Sequence, residues 1–262
     1  MTGPDRSSPG LRVVAVEDAA AVAATGAGRL GAAIRQTVAA HGRCRLAVSG
    51  GSTPAPVFAR LAGWDLPWDR VTVWQVDERV VAAGRPDRNL TMIEATLGTT
   101  AARIVAIPVD GVPAGRLADA ADRYAALLPD RFDLVHLGLG ADGHTASLVP
   151  DDPVVSLDDR LVGTTRPYQG HRRVTLTYRA LARADRLLWL VAGAGKADAV
   201  RALLTGDGSI PAGRVVRGTA SVLVADRASL ALPPCSIQDR PDGRSGTELS
   251  AGEALALRRA GA

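Results

Sequence analysis

The chain has 262 residues, and 47% of them are hydrophobic but only 3% aromatic, so aliphatic and alanine side chains must fill the core. This length suits a single α/β domain. The net charge is +4, but the arginines are scattered, and two cysteines are too few for a disulfide framework or a zinc site. We therefore expect no metal, no nucleic acid and no membrane partner and, without an apolar signal core, a cytoplasmic protein.

Short aliphatic runs alternate with alanine-rich helical patterns along most of the chain. The predicted strands lie at 45–48, 71–76, 132–137, 174–177 and 185–191, and the predicted helices lie near 18–41, 54–62, 115–128 and 195–204. Most of these strand segments contain continuous aliphatic runs rather than a clean alternation of apolar and polar residues, which is typical of a parallel sheet covered by helices on both faces. The predicted fold class is therefore α/β, with a mostly parallel, Rossmann-like sheet.

The first candidate site directly follows the strand at 45–48. Gly50 and Gly51 are followed by Ser52, Thr53 and Pro54, a pattern that predicts a helix start with Ser52 or Thr53 as its cap. Backbone amides at a glycine turn, together with a helix N-terminus, favour binding of a phosphate. Judged alone, the pattern fits an ordinary strand-to-helix turn equally well.

Charged residues end the strand at 71–76, where Asp77, Glu78 and Arg79 follow its last apolar position. Open α/β sheets bind ligands at the carboxyl ends of their strands. The next polar group, Asp87-Arg88-Asn89, lies in a segment that predicts a loop. Asp77, Arg79 and Asn89 are therefore candidate substrate-binding residues.

The strand at 132–137 leads into the most informative segment, which runs from Gly138 to Pro150. Glycines allow a sharp turn close to a ligand, and the turn presents Asp142 and His144. Histidine accepts a proton near neutral pH, so this arrangement indicates a general base. The spacing also matches the dinucleotide pattern G-x-G-x-x-G, but it lies mid-chain and lacks the expected acid at the end of a following strand. A glycine turn with an incidental histidine is the simpler alternative.

Two later segments add basic candidates. Arg173 directly precedes the alternating strand at 174–177, and Gly193-Ala194-Gly195-Lys196 follows the strand at 185–191. The latter is not a phosphate-binding P-loop, because Leu190 and Ala197 replace the required glycine and hydroxyl residue. Lys196 is the only lysine beside 30 arginines, which suggests that its compact ammonium is needed.

These segments together resemble the 6-phosphogluconolactonase branch of the glucosamine-6-phosphate isomerase/6-phosphogluconolactonase family. The resemblance rests on 49–54, 77–79, 138–148, 173–177 and 193–196, and it spans about 11–232. It implies a three-layer α/β/α fold and hydrolysis of 6-phospho-D-glucono-1,5-lactone to 6-phosphogluconate, without cofactor or metal. Val149 stands where the family usually has an aromatic residue, and we expect altered packing there rather than lost chemistry.

The resemblance also implies roles for the candidate residues. His144 would take a proton from the attacking water, and Asp142 would either orient that histidine or hold a substrate hydroxyl. The remaining candidates would bind the sugar phosphate: Gly50, Gly51, Ser52, Thr53, Asp77, Arg79, Asn89, Arg173 and Lys196. His136, inside a strand, is predicted to be a core residue, and His41 and His171 are predicted to be exposed.

Two alternatives of different classes remain. A glucosamine-6-phosphate deaminase or isomerase would usually carry tyrosine after Asp77-Glu78, where this chain has Arg79, and Ile-Ala-Phe-Asn-Glu after His144, where it has Thr-Ala-Ser-Leu-Val. A non-catalytic sugar-phosphate regulator would usually carry a helix-turn-helix, which the first 40 residues do not predict, and would not need His144.

The predicted organisation is a flexible N-terminus at 1–10, a single domain at 11–235 and a polar, flexible C-terminal tail at 236–262. Within that tail, 251–259 is compatible with a short helix. The expected partner is a small sugar-phosphate lactone, and the expected state is a monomer or a small homo-oligomer.

Overall fold

The computed structural model describes residues 10–216, 219–234, 236–237 and 246–260. Residues 1–9 and most of the segment before β11, which were predicted to be flexible, lie outside the described residues. Cys235 also lies outside them. The strands are β1 (Arg12–Val16), β2 (Cys44–Val48), β3 (Val71–Gln75), β4 (Asp77–Arg79), β5 (Arg103–Val105), β6 (Leu134–Leu137), β7 (Val162–Thr164), β8 (Arg173–Leu176), β9 (Arg186–Val191), β10 (Ala220–Asp226) and β11 (Thr247–Ser250).

The helices are α1 (Ala19–His41), α2 (Ala55–Ala62), α3 (Asn89–Leu97), α4 (Leu117–Ala125), α5 (Tyr178–Leu181), α6 (Ala197–Leu204), α7 (Pro211–Val216), α8 (Arg227–Leu230) and α9 (Ala251–Ala260). The longest, α1, begins where the Asp18 side chain accepts a hydrogen bond from the amide of Ala21, at 2.8 Å. It ends at Gly42, whose φ of 70° closes the helix in the left-handed region. Within the described part of the chain, no helix is long and apolar enough to cross a membrane.

The main sheet has the strand order β11-β1-β10-β9-β6-β2-β3-β5, and all neighbours are parallel except β11 and β1. Alternate residues of its strands enter two separate hydrophobic cores: Val13 and Ala15 pack on one face, and Val14 and Val16 pack on the other. Helices α1, α2 and α3 cover the second face, and helices α4 to α9 lie on the first. The predicted three-layer α/β/α fold is thereby confirmed.

A smaller antiparallel sheet, β4-β8-β7, lies beside the main sheet. It joins the main sheet through the amide of Leu176, which donates to the carbonyl oxygen of Val76. This small sheet brings Arg79 and Arg173 into direct register, although they are 94 positions apart in the chain. It therefore forms a wall beside the carboxyl ends of the main-sheet strands, which we call the carboxyl edge.

The end of the chain differs from the expectation of a separate flexible tail. β11 pairs with β1 and extends the main sheet, and the Glu248 carboxylate contacts the guanidinium groups of Arg12 and Arg29 at 3.0 and 2.7 Å. Helix α9 buries Ala254, and Arg258 donates to the carbonyl oxygen of Ala197. Residues 247–260 therefore belong to the domain, because backbone pairing with β1 does not need an apolar sequence. The division at 235 otherwise stays a prediction.

Candidate active site

The candidate site lies where the chain connections of the main sheet reverse direction. From β2 the chain continues to β3 and β5 on one side, whereas from β6 it continues to β9 and β10 on the other. Such a switch point opens a crevice at the carboxyl ends of the two central strands. A cavity of about 340 Å³ occupies this position, between the loops that follow β2, β3, β6 and β9.

Ten of the eleven residues predicted to form the site line this one cavity: Gly50, Gly51, Ser52, Thr53, Asp77, Arg79, Asn89, His144, Arg173 and Lys196. Asp142 does not line the cavity, but its Oδ1 lies 2.6 Å from Nδ1 of His144. The structure therefore brings together side chains from strands and loops that are up to 146 positions apart. In the described residues there is no cluster of three or more metal-ligating side chains.

The loop after β2 approaches the start of α3 so closely that glycine is required. A Cβ atom on Gly50 would lie 2.1 Å from Oδ1 of Asn89, whose Nδ2 donates to the carbonyl oxygen of Asp77 at 2.9 Å. The prediction that Ser52 or Thr53 caps the following helix was wrong. Pro54 occupies the cap position, and no side chain caps α2. Both hydroxyl groups therefore stay available on the cavity wall.

Glu78 lies behind the cavity wall and holds the start of α3 in place, a role that was not predicted from the sequence. It is fully buried and accepts hydrogen bonds from the amides of Asn89 and Leu90, each at 2.8 Å. Gln75 Nε2 donates to it as well, and Arg88 Nε lies 3.2 Å away. The segment 87–89 is therefore not a free loop, because Arg88 is buried and Asn89 begins α3 with its amide held by Glu78.

Asp77 provides the one carboxylate among the lining residues. Its Oδ2 accepts a 2.6 Å hydrogen bond from the hydroxyl of Ser147, a partner for which the sequence offers no signal. Burial raises the pKa of Asp77 above its usual range, and the Ser147 hydrogen bond and the Arg173 charge oppose this effect. The side chain is thus a buried polar group on the cavity wall.

His144 and Asp142 form a hydrogen-bonded pair at the end of the turn after β6. Nδ1 of His144 lies 2.6 Å from Oδ1 of Asp142, so Nε2 is the ring nitrogen left for a ligand. Burial would raise the pKa of Asp142, but His144 and the hydroxyl of Tyr168 outweigh it and lower that pKa. A Cβ atom on Gly140 would lie 2.0 Å from Nδ1, so only glycine leaves room for the pair.

Three cations face the cavity against the single carboxylate of Asp77: Arg79, Arg173 and Lys196. Arg79 is held by a 2.9 Å hydrogen bond to the carbonyl oxygen of Asp87, and Arg173 is only 3% exposed. Burial lowers the pKa of Arg173. Lys196 ends a single turn of 3₁₀ helix and forms no ion pair with any described residue. An excess of positive charge in a half-enclosed cavity favours an anionic ligand.

Comparisons with known proteins show the family of this chain. A family model described as "Glucosamine-6-phosphate isomerases/6-phosphogluconolactonase" matches residues 17–224. The chain belongs to this family. A relative from Caulobacter vibrioides, named 6-phosphogluconolactonase, is 40% identical over 187 residues, which are 67% of this chain and 78% of the relative.

Solved structures of this family share the fold. A 6-phosphogluconolactonase from Thermotoga maritima superposes with a TM-score of 0.72 at 27% identity, covering 82% of this chain and 98% of the other. A monomeric glucosamine-6-phosphate deaminase superposes equally well, with a TM-score of 0.73 at 17% identity, covering 83% and 98%. Because both activities occur on this fold, the activity has to be argued from the site.

Two further residues of the site were not predicted from the sequence: Gln169 lines the cavity, and Tyr168 contacts Asp142 and His144. They lie on the connection between β7 and β8, in a segment without any strand or helix pattern. Of the other histidines, His136 is fully buried as predicted and His41 is exposed as predicted. His171 is half-buried rather than exposed, because its ring lies 3.9 Å from the Asp87 carboxylate.

Proposed function

We propose that the protein is a lactonase that hydrolyses 6-phospho-D-glucono-1,5-lactone to 6-phospho-D-gluconate, the second step of the oxidative pentose phosphate pathway. The observation that carries the proposal is the pairing of His144 with Asp142 in a cavity that three cations line. The relative that is 40% identical to the chain over 187 aligned residues bears the name of this activity.

In the proposed mechanism, His144 is the general base. Asp142 accepts the hydrogen bond of Nδ1–H, which leaves the lone pair on Nε2 for the proton of a water molecule. As the O–H bond of the water breaks, its oxygen bonds to the lactone carbonyl carbon. The tetrahedral intermediate then breaks its bond to the ring oxygen, and His144 returns the proton to that oxygen. A lactone is already reactive, so one positioned base and good orientation suffice.

The phosphate of the substrate is proposed to bind where the loop after β2 presents backbone amides and two free hydroxyls. Gly50 and Gly51 allow close approach, and Ser52 and Thr53 supply donors on the same wall. Lys196 would add a compact positive charge, since it has no competing ion-pair partner among the described residues. Arg79 and Arg173 would stabilise the remaining negative charge, and Asp77 and Asn89 would hold substrate hydroxyls.

The competing proposal, a glucosamine-6-phosphate deaminase or isomerase, is less well supported. Arg79 follows Asp77 and Glu78 and lines the cavity, in the place where those enzymes usually carry a tyrosine. Ser147 is committed to the Asp77 carboxylate, within the segment Thr-Ala-Ser-Leu-Val that distinguishes the two branches. A non-catalytic binder is also disfavoured, because such a protein would have no need of the His144–Asp142 pair.

One assay tests the proposal and the alternatives together. The lactone is generated in situ, acid release is followed above the spontaneous rate, and glucosamine 6-phosphate is tested in parallel with the same protein sample. We expect acid release with the lactone and no ammonia from the amino sugar. The opposite pattern would make the protein a deaminase, and binding of both sugar phosphates without turnover would make it a binder.

The proposal also covers the location, the oligomeric state and the cofactor requirement of the protein. We propose a cytoplasmic protein that acts as a monomer or a small homo-oligomer on a small-molecule lactone, without an organic cofactor or a metal ion. Support comes from chemistry that needs only a base and an anion site.

A further inference from the structure

The hydroxyl of Tyr168 reaches the one oxygen of the Asp142 carboxylate that His144 does not use. It donates to Oδ2 of Asp142 at 2.9 Å, whereas Oδ1 contacts Nδ1 of His144 at 2.6 Å. The hydroxyl oxygen also lies 3.3 Å from that same Nδ1. Both carboxylate oxygens are therefore occupied, which leaves the carboxylate little freedom to rotate away from the histidine.

The backbone holds Tyr168 in this place through a tight turn. Tyr168 and His171 exchange backbone hydrogen bonds of 2.9 and 3.2 Å across Gln169 and Gly170, which have φ angles of 48° and 83°. Two successive residues with positive φ are typical of a type I′ hairpin turn. Gln169 Nε2 then donates to the Tyr168 hydroxyl at 3.3 Å.

The ring of Tyr168 is held on two sides as well. The guanidinium carbon of Arg173 lies 4.9 Å from the ring centroid, and the ring meets that of His144 edge-on at 5.4 Å. A cation over the face and an aromatic ring at the edge are both favourable arrangements. Tyr168 thereby connects the positive wall of the cavity to the His144–Asp142 pair.

We propose that Tyr168 is a positioning residue: its hydroxyl fixes the Asp142 carboxylate, which in turn keeps Nε2 of His144 directed into the cavity. The kinetic consequences of this inference rest on the proposed function, whereas its geometric basis does not. Tyr168 contacts no reacting atom, so it acts through Asp142.

The hydroxyl can act only as a donor to Asp142 near neutral pH. Burial, followed by the hydrogen bond and the charge of Asp142, raises the pKa of Tyr168 to about 12. Other charged groups also face His144 and remain in any Tyr168 variant: Asp142, Arg173, Asp77, Arg79 and Lys196. A change in the pH profile of a variant that lacks only this hydroxyl would thus report on the hydroxyl itself.

The test compares Tyr168→Phe with Tyr168→Ala in the full chain, under the lactone assay. Phe keeps the ring against Arg173, so we expect kcat to fall about tenfold with KM within about twofold, because the orientation of the base is lost while binding is kept. Without the hydroxyl, the Asp142 carboxylate loses the hydrogen bond that partly offsets its charge, so it stabilises a protonated partner more strongly and the acidic limb of the kcat profile should move to higher pH. Ala should raise KM in addition, because Arg173 loses its ring contact.

Tyr178→Phe is the matched control, since Tyr178 begins α5 and does not line the cavity. It loses the same hydroxyl group and should leave kcat, KM and the pH profile unchanged. If wild type is active and Tyr168→Phe matches it in kcat and in pH profile, the positioning role is refuted.

A second measurement does not depend on turnover. The chain has four histidines, so the imidazole ¹⁵N resonances of His144 can be assigned from the spectrum of His144→Ala. In Tyr168→Phe we expect the Nδ1 and Nε2 resonances to shift, because the Asp142 partner of Nδ1 is less fixed. Unchanged resonances would overturn the proposal. If wild type does not hydrolyse the lactone, the proposed function fails, and this spectrum alone decides the role of Tyr168.

Discussion

One cavity lies at the amino ends of the main-sheet strands (the amino edge) and another at their carboxyl ends (the carboxyl edge), and the proposed chemistry is at the smaller of the two. The cavity at the amino edge has a volume of about 620 Å³ and an apolar lining that includes Leu134, Leu188 and Val222. The cavity at the carboxyl edge has about 340 Å³ and a polar lining. Size and apolarity are common signs of a ligand site, and by those two criteria alone the cavity at the amino edge would be chosen.

The charges explain the difference between the two cavities. At the amino edge the arginines already have partners within the fold: Arg12 and Arg29 contact Glu248, and Arg186 donates to the hydroxyl of Thr37. At the carboxyl edge, Lys196 has no ion pair among the described residues, and the His144 ring has one nitrogen left. Convergent groups with unused bonding capacity, rather than empty space, are the reason that we propose the carboxyl edge as the functional one.

The strongest test of this contrast is His144→Ala. Removing a positioned general base should lower kcat by about 10²–10⁴-fold, whereas KM should change much less because the phosphate contacts remain. The lactone assay measures both constants. Near-normal turnover in a folded variant would show that the carboxyl edge does not supply the general base, and the proposed mechanism would be wrong.

A second test uses the other histidine of the same segment, His136, which is fully buried in β6 and accepts a hydrogen bond from the amide of Ser49. Burial lowers the pKa of His136 to about 3. The unfolded chain therefore binds a proton below about pH 6.5 that the folded chain does not, so stability falls as the pH drops from there toward 3.

His136→Asn keeps an acceptor for Ser49 but does not titrate. Between pH 7 and pH 4.5, wild type should lose roughly 2–3 kcal/mol more unfolding free energy than the variant. Urea unfolding at the two pH values measures this difference. Parallel losses in both proteins would show that His136 is not the source of the acid sensitivity.

Lys196→Arg tests whether this cation, which forms no ion pair with a described residue, has to be a lysine. The planar guanidinium is wider than an ammonium and does not fit the same volume, so KM should rise roughly tenfold, about 1.4 kcal/mol of lost binding. Thermal stability should stay unchanged, since Lys196 is not a core residue. Arg201→Lys, on the exposed side of α6, is the control and should have wild-type kinetics. Wild-type kinetics in Lys196→Arg would remove the lysine from the site.

The smallest effect is expected at the amino edge. Arg29→Ala breaks a contact with Glu248 in which both side chains are about one-third exposed, so it should cost at most about 1 kcal/mol of stability. The kinetic constants should stay within about twofold of wild type. A large loss of activity without loss of stability would contradict the assignment of chemistry to one edge.

Local sequence patterns predicted much of this molecule. The aliphatic runs at 71–76 and 185–191 coincide with β3 and β9 within a residue, because buried parallel strands need apolar side chains on both faces. The glycine turns after β2 and β6 were recognisable because few other residues permit such close approach of the backbone. Gly50 and Gly140 show this directly, since a Cβ atom on either would meet a neighbouring side chain.

Other features depend on partners that are distant in the chain. The hydroxyl of Ser147 meets Asp77 across 70 positions, and β11 pairs with β1 across more than 230. Neither contact could be predicted from neighbouring residues, because a serine or a polar strand can form hydrogen bonds with many different partners. The expectation of a flexible tail missed the strand at 247–250 for this reason: polarity excluded a buried core segment but not an edge strand.

The sequence by itself determined the alternation of strands and helices, the glycine turns and the identity of the ionisable groups, because each depends on residues next to one another. Only the tertiary structure decided that the loops after β2, β3, β6 and β9 meet in one cavity and that Tyr168 reaches Asp142. The physical reason is that strand order sets which carboxyl ends lie side by side, and strand order is a property of the assembled sheet.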